Sequence, residues 1–313
     1  SRTSRQDEGQ QGASPRSAAI MISSSLNQLA RQERTRREIL HRSELVPPLP
    51  DLVTRLLGLL SRQETEPVDL ERLLQNDQVL VAKMLAMVNS PFYGLHRTVG
   101  TVKEAVMVLG FRGVRSLVLA TTTAKFLQRD YSCYGHEPKG LWLHAVCVAS
   151  GARHLARRCG MLPDESEQLF VCGLMHDIGK LLLVPYVQLD PGASCERAVV
   201  EHERATVGLD HAEAGALVTA KWNLSDEIQY VIRAHHERDY GTGDPRPVAI
   251  VRLVDAVANA HGVGYLPGRA PVNEVFAADL EVCGLTWPEW SAATDELVVT
   301  MDEAVTALGN LGC

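Results

Sequence analysis

Apolar residues recur three and four positions apart along most of the chain after residue 50, which is the period of a helix with one buried face. No stretch of convincing length alternates apolar and polar residues, so the pattern predicts no strands. Segments rich in Pro, Gly and Asn, such as "NSPFYGLHRT" and "YGTGDPRP", separate the helical runs. The predicted helices cover 51–61, 69–76, 78–88, 101–109, 112–127, 140–158, 165–185, 210–222, 226–236, 247–262 and 287–308.

The spacing of these runs predicts an all-α fold of two packed helical subdomains. The first 18 residues are polar and without periodicity, which is typical of a disordered tail. The prolines of "SELVPPLPDLV" then end a lead-in helix, and "YSCYGHEPKG" at 131–140 has the composition of a linker. The predicted division is a tail over 1–18, a lead-in helix over 19–45, an N-terminal helical subdomain over 46–130, a second subdomain over 139–265 and a C-terminal helical tail over 266–313.

The lead-in helix carries a basic stretch between Arg31 and Arg42. Such a stretch could contact a partner, but a solvated helix is the commoner case and is the interpretation favoured here. A nucleic-acid-binding function would rest on this stretch alone. The chain has a formal net charge of −7 and no interleaving of aromatic with basic residues, so nucleic acid is not expected as a partner.

Composition indicates a reduced, cytoplasmic protein. The seven cysteines are scattered and form no C-x-x-C motif, unlike the cysteines of a disulfide framework or a zinc ribbon. No apolar run is expected to reach the roughly 18 to 20 residues that cross a bilayer, so no membrane partner is predicted. With 45% hydrophobic but only 5% aromatic residues, packing must depend on Leu, Val and Ala, as in helical cores.

A histidine–aspartate pair stands inside the apolar run "GLMHDIGKLLL", which the pattern assigns to a helix. Burying His176 and Asp177 there costs several kcal/mol unless partners compensate. Other polar residues in predicted buried helices could be these partners. They are His144, His211, His235, His236 and Asp255.

Imidazole and carboxylate groups are ligands of divalent transition metals, and a carboxylate can bridge two ions. Two such ions can hold a phosphate oxygen and activate water at neutral pH. Lys180 follows Asp177 by three residues, hence on the same helix face, where its charge suits a phosphate. Each residue also has a structural alternative. A buried histidine often bonds a carbonyl, Asp255 could cap a helix, and His235 and His236 could lie exposed at a helix C-terminus.

The chain resembles the HDOD (HD-related output domain) family, within the HD superfamily of metal-dependent phosphohydrolases. The resemblance spans roughly residues 43–262. In the first half it is carried by "LVPPLPDLVTRLLGLL", "LLQNDQVLVAKMLAMVNSPFYG" and "TVKEAVMVLGFRGVRSLVLA". In the second half it is carried by "LFVCGLMHDIGKLLL" and "EHERATVGLDHAEAGALVTAKWNLSDEIQYVIRAHHE". It implies that the second subdomain is an HD-type helical bundle.

The resemblance also implies a metal site. HD phosphohydrolases bind one metal through residues that match His144, His176, Asp177 and Asp255. The related HD-GYP phosphodiesterases use further histidines for a second metal, matching His211, His235 and His236. The segment "HHERDYGTGDP" departs from HD-GYP, because Tyr240 stands where that family has Asp and Asp244 where it has Tyr.

HDOD proteins are bacterial signalling and regulatory modules, and this is the function the resemblance implies first. We therefore expect a regulatory protein that binds one or two divalent transition metals such as iron, manganese or zinc. Its expected partners are a signalling protein or a nucleotide or phosphodiester ligand, and a homodimer is possible. The alternative is a metal-dependent phosphohydrolase in which Asp177 and Lys180 would act in catalysis; a nucleic-acid-binding regulator is the weaker alternative.

Overall fold

The computed structural model describes residues 15–309, apart from 61, 63, 76, 91–92, 190–194, 238 and 272–274, with side chains from residue 26 onward. Within those residues the chain is helical and contains no strand; the only pairing of extended backbone is an isolated bridge between His136 and Tyr265. Of the tail predicted over 1–18, residues 1–14 lie outside the described part. Residues 15–18 are helical, unlike the prediction.

Five helices form the N-terminal part: α1 (Pro15–Leu45), α2 (Asp51–Leu60), α3 (Pro67–Leu74), α4 (Gln78–Val88) and α5 (Val102–Leu127). Side-chain caps set several of their starts. The Asp77 carboxylate accepts from the Leu80 amide at α4, and the Thr101 hydroxyl accepts from the Glu104 amide at α5. The helices predicted over 101–109 and 112–127 are the two arms of α5, joined across a kink at Gly110, whose φ is 69°.

One described helix, α5, is long and apolar enough to cross a membrane by length and composition. The expectation that no apolar run reaches that length is therefore wrong for α5. However, 56% of its most apolar window is buried inside the protein. Residues such as Val114, Leu117 and Leu119 are fully buried and account for the apolar character of a core helix.

The second subdomain is a helical bundle around α6 (Gly140–Arg158), whose neighbours are α7, α12 and α14. Its helices, including the C-terminal tail, are α6, α7 (Pro163–Met175), α8 (Lys180–Leu183), α9 (Glu196–Val207), α10 (His211–Lys221), α11 (Asp226–Ala234), α12 (Arg246–His261), α13 (Ala277–Val282) and α14 (Trp287–Leu308). Helix α5 packs against both α6 and α7, so the two subdomains share one hydrophobic core.

The structure differs from the predicted pattern in four segments of this subdomain. The helix predicted over 165–185 ends at Met175, and residues 176–179 form a turn before α8. Helices α9 and α13 were not predicted. The expected linker 131–140 contains a 3₁₀ turn at Ser132–Tyr134, and its Tyr131 and His136 side chains are buried.

Helix α1 packs on α8, α9 and α10 rather than standing free. Ile39 on its inner face is fully buried, and the Gln32 side-chain amide donates to the backbone oxygen of Ala205 at the end of α9. Leu26 and Leu29 on its outer face are 61% and 60% exposed. The prediction that this helix is exposed to solvent is therefore correct for its outer face only.

The His176–Gly179 turn lies directly against the start of α10. A Cβ atom on Gly179 would stand 1.9 Å from the backbone oxygen of His211 and 2.4 Å from the Gly215 amide nitrogen. Only glycine permits this approach, which places the turn beside α10. A similar contact between Gly140 and Gly264 fixes the start of α6 against the segment after α12.

Candidate metal centre

His144, His176 and Asp255 form the first of two clusters in the bundle core. They come from α6, from the turn after α7 and from α12, and each is at most 3% exposed. His144 Nε2 lies 3.1 Å from Asp255 Oδ1, and His176 Nε2 lies 3.7 Å from the same oxygen. Their ligand atoms are all within 4.8 Å of one another, which is a suitable spacing for binding one ion.

His211, His235 and His236 form the second cluster, at the start of α10 and the end of α11. The Nε2 atoms of His211 and His236 are 2.8 Å apart, and the rings of His235 and His236 have centroids 3.9 Å apart. His235 is not exposed at a helix terminus, the structural alternative, but is buried.

Asp177 lies between the two clusters and faces both. Its Oδ2 is 3.4 Å from His176 Nε2 and 3.7 Å from His144 Nε2, while its Oδ1 is 3.2 Å from His211 Nε2. A carboxylate that directs one oxygen to each group of histidines has the geometry of a bridging ligand. All seven residues predicted from the sequence are thus brought together.

Three of the histidines are held so that one ring nitrogen is left for a ligand. The Nδ1 atoms of His176 and His235 lie 2.7 and 2.6 Å from the backbone oxygens of Gly173 and Ile232, respectively. Their Nε2 atoms are buried without a hydrogen-bond partner among the described atoms. His211 is anchored through Nδ1 to a carboxylate of Glu203, 2.7 Å away. Anchored Nδ1 and unpartnered Nε2 atoms are typical of metal-binding histidines.

Lys180 is buried and its Nζ is 2.7 Å from Asp177 Oδ2. The three-residue spacing predicted that the two would share a face, and they do, although a turn rather than a continuous helix connects them. Burial disfavours ionisation of the Asp177 carboxyl, but the neighbouring Lys180 and His176 hold its pKa well below the usual value.

Two glutamates of α9 belong to the centre and were missed, because α9 itself was not predicted. Glu203 is fully buried; its carboxylate accepts from His211 and from the Tyr134 hydroxyl at 2.7 Å. Glu196 is 7% exposed, and its Oε1 is 3.5 Å from His236 Nε2 and 3.8 Å from His211 Nε2. The sequence signal was a moderate one: acidic residues on the apolar-facing side of an otherwise charged segment.

Carboxylates make the centre strongly attractive to cations. Burial opposes protonation of His176, but Asp177 and Asp255 raise its pKa to about 10. In the same way burial opposes protonation of His211, while Glu203 and Asp177 raise its pKa to about 9. The other three histidines shift the opposite way: burial and cationic neighbours lower the pKa of His235 to about 3, and burial also lowers the pKa values of His144 and His236.

A small cavity of about 10 Å³ lies beside the centre. It is lined by Tyr134, Lys180, Leu189, Glu196, Val199, Tyr265, Arg269 and Pro271. Arg269 makes no ion pair with the described residues and stands at this cavity as a second cation besides Lys180. Burial and the nearby Glu196 and Asp177 charges raise the pKa of Tyr265 well above its usual value, so its hydroxyl stays protonated.

His136 is a further buried histidine that the sequence reading did not select. Its ring stacks on Tyr265 with centroids 4.2 Å apart and lies 6.1 Å from the ring of His144. Nδ1 is 3.1 Å from the Gly264 backbone oxygen, and Nε2 has no hydrogen-bond partner among the described atoms. His136 therefore packs beside the first cluster without belonging to it.

The two residues that depart from HD-GYP serve local structure. The Tyr240 hydroxyl donates to the Asp279 carboxylate at the start of α13, and Asp244 pairs with Arg246 at the start of α12. Within the described part of the chain neither residue contacts a histidine of the two clusters, so these differences leave the donor set intact.

A family model for the HDOD domain matches residues 46–238. The chain belongs to the HDOD family. That match covers the N-terminal helices as well as the histidine clusters up to His236, which agrees with the two-part resemblance in the sequence.

Curated relatives of this HDOD protein are distant and longer. It is 26% identical over 251 residues to an uncharacterized protein of Treponema pallidum (strain Nichols), covering 76% of this chain and 46% of that one. It is 24% identical over 221 residues to ribonuclease Y of Fervidobacterium nodosum, covering 69% of this chain and 36% of that one. The chain thus spans less than half the length of these two relatives.

Solved structures show the same fold. An HDOD domain protein of unknown function from Geobacter sulfurreducens aligns with a TM-score of 0.67 at 24% identity, covering 89% of this chain and 98% of the other. A proposed phosphohydrolase from Shewanella amazonensis aligns with a TM-score of 0.66 at 22% identity, covering 88% and 98%. These similarities confirm the all-α, two-subdomain architecture of the HDOD protein.

The donor set fits divalent transition metals. Nitrogen and carboxylate oxygen atoms are the ligands of iron, manganese and zinc, and no cysteine takes part in either cluster. The unpartnered Nε2 atoms of His176 and His235 supply the physical test, because buried polar atoms without partners are costly unless a ligand satisfies them. His144, His176 and Asp255 would hold one ion, His211, His235 and His236 another, and Asp177 would contact both.

Proposed function

We propose that this HDOD protein is a signalling module that binds two divalent transition metals, and a phosphorylated ligand at them. The supporting observation is the convergence of two histidine clusters on the opposite oxygens of Asp177. A site retained only for packing would not need four buried histidines, a fifth that is 11% exposed and several buried carboxylates, since such groups are costly to bury.

The lining of the cavity supports a phosphoryl group as the ligand. Lys180 and Arg269 are cations, and Tyr265 keeps its proton as a hydrogen-bond donor. These groups would orient an anionic oxygen at the end of the cavity next to Asp177. When bound, the metals would polarise a phosphoryl oxygen and lower the pKa of a water molecule.

Hydrolysis of that ligand is the second candidate function. It is favoured by the complete donor set and by the fold shared with a structure named as a proposed phosphohydrolase. In this reaction Asp177 would position the reacting groups, and Lys180 would stabilise the negative charge that develops on the phosphoryl oxygens. The regulatory function does not require hydrolysis, because binding of metal and ligand alone can change the state of a signalling module.

Element analysis by mass spectrometry tests the proposal. Protein purified without chelator is expected to carry about two transition-metal ions per chain, and Asp177→Asn is expected to carry fewer. The exposed substitution Asp302→Asn is the matched control and should keep the wild-type content. A metal-free wild type that also fails to bind added manganese, iron or zinc would contradict the proposal.

An activity screen separates the two functions. The metal-loaded protein is incubated with aryl phosphodiesters, nucleotides and cyclic dinucleotides, with Lys180→Met as the inactive reference. Cleavage by wild type alone would establish the phosphohydrolase. Binding of a phosphorylated compound without turnover would support the regulatory function.

A further inference from the structure

Glu196 is the first residue of α9 and lies close to two histidines of the second cluster, His211 and His236. Its Oε1 lies 3.5 Å from His236 Nε2 and 3.8 Å from His211 Nε2, while those two nitrogens are 2.8 Å apart. Two nitrogens and one oxygen thus form a triangle around a common space. The geometry points to Glu196 as a direct ligand of the second metal, an inference that rests on the proposed metal centre.

Burial argues that Glu196 is more than a packing residue. Its carboxylate is buried, and an unpaired charge is costly when it is removed from water. A nearby divalent cation would stabilise the ionised form in such an environment.

Charge balance leads to the same assignment. Apart from Asp210, which pairs with Arg204, four buried carboxylates surround the histidines, and Lys180 is the one buried lysine among the described residues there. Those carboxylates are Asp177, Glu196, Glu203 and Asp255. Lys180 makes its close contact with Asp177 at 2.7 Å, and Glu203 is already bonded to His211 and Tyr134. Glu196 is therefore the carboxylate that remains for a cation at the second cluster.

The two glutamates of α9 have different relations to His211. Glu203 accepts from Nδ1, the ring nitrogen that faces away from the cluster, and so orients the imidazole. Glu196 lies on the Nε2 side, where the ligand binds. Helix α9 would thus provide one ligand and one orienting residue. Because Glu196 also lines the cavity, metal binding would fix the start of α9 beside it.

Glu196→Gln tests the inference with little change in shape. Metal-free protein is titrated with manganese and zinc against a chelating indicator, and bound ions are counted by element analysis. We expect wild type to bind two ions, and Glu196→Gln to bind the first normally and the second at least tenfold more weakly. Glu201→Gln on the same helix is the control, since Glu201 is 63% exposed and pairs with Arg197.

The outcomes distinguish the inference from the function on which it rests. Two ions of unchanged affinity in Glu196→Gln would overturn the role of Glu196 while leaving the metal centre intact. No metal in wild type would remove the centre itself, and the inference with it.

A second measurement does not depend on how the variant folds. In a crystal structure of the metal-loaded wild type with anomalous diffraction, a Glu196 oxygen is expected within about 2.0–2.2 Å of one ion. A Glu196 carboxylate bonded only to Lys180, with the second ion held by other ligands, would contradict the assignment.

Discussion

At the residue scale, the properties of the centre depend on how each imidazole is oriented. Glu203 holds His211 through Nδ1 at 2.7 Å and also accepts from the His211 backbone amide at 2.9 Å. The Tyr134 hydroxyl donates to its other oxygen. A carboxylate fixed on three sides keeps the His211 ring in one orientation and makes Nε2 a better electron donor.

Glu203→Gln should weaken binding of the second metal by about 10- to 100-fold, the usual cost of losing such an orienting carboxylate. The amide oxygen can still accept hydrogen bonds, but it lacks the charge that strengthens the contact with His211. Competition titration with a metal indicator measures the change. The exposed Glu201→Gln variant on the same helix serves as the control, and equal affinity in Glu203→Gln and wild type would contradict the orienting role.

The same scale shows why a local pattern identifies some residues and misses others. His176 and Asp177 stand out because they interrupt an apolar run. Glu196 and Glu203 lie in "ERAVVEHERATV", a segment so rich in charge that two buried glutamates look like its exposed ones. Their spacing places both on the helix face of Val199 and Val200, but the burial of that face depends on elements distant in the chain, such as α1.

At the element scale, helix ends were predicted better than contacts between helices. Helix α4 covers Gln78–Val88, the range predicted from the sequence, with Asp77 and Asn89 at its start and end. The Asn89 side chain also bonds the backbone of Val99, which joins α4 to the segment before α5 and could not be predicted from α4 alone. The turn after α7 escaped prediction because its residues continue the apolar pattern of the helix.

Gly179→Ala should lower the free energy of unfolding by about 3 kcal/mol or more, since the added methyl group would meet backbone atoms of α10 that cannot move aside cheaply. Metal content should fall with it, because this turn carries His176 and Asp177. Urea denaturation with element analysis measures both effects.

The matched control for that substitution is Gly58→Ala in α2, where no atom lies within 4 Å of the added methyl group. This variant should be as stable as wild type or more stable by up to about 1 kcal/mol. An unaffected Gly179→Ala protein would show that the turn and α10 can separate without cost.

At the scale of the whole molecule, the centre connects elements that are distant in the chain. His144, Asp177, His211 and Asp255 come from four different elements, and α1 packs on three of the helices that surround them. Bound metal would therefore stabilise the second subdomain as a unit. Through α5, which packs on α6 and α7, the N-terminal helices share the same core.

Removal of metal should lower the thermal midpoint by about 10 °C. Ions present at 1,000 times their dissociation constant stabilise the folded state by about 4 kcal/mol, and each kcal/mol shifts the midpoint by about 2–4 °C in a domain of 150–250 residues. Calorimetry before and after dialysis against chelator, and after manganese is restored, measures the shift. The thermal midpoint of Asp177→Asn should change much less on dialysis. A wild-type midpoint that chelator leaves unchanged would exclude this stabilisation.

The amino-acid sequence by itself determined the helical class, most helix ends and the seven residues that gather at the centre. Helical periodicity and capping are local, and the histidines and aspartates stand out against apolar surroundings, so both can be read along the chain. Only the tertiary structure decided that Asp177 faces both clusters, that Glu196 and Glu203 are buried beside His211, and that α1 is part of the bundle. The physical reason is that burial and pairing of a charged side chain are set by the elements packed around it, and those elements come from distant parts of the chain.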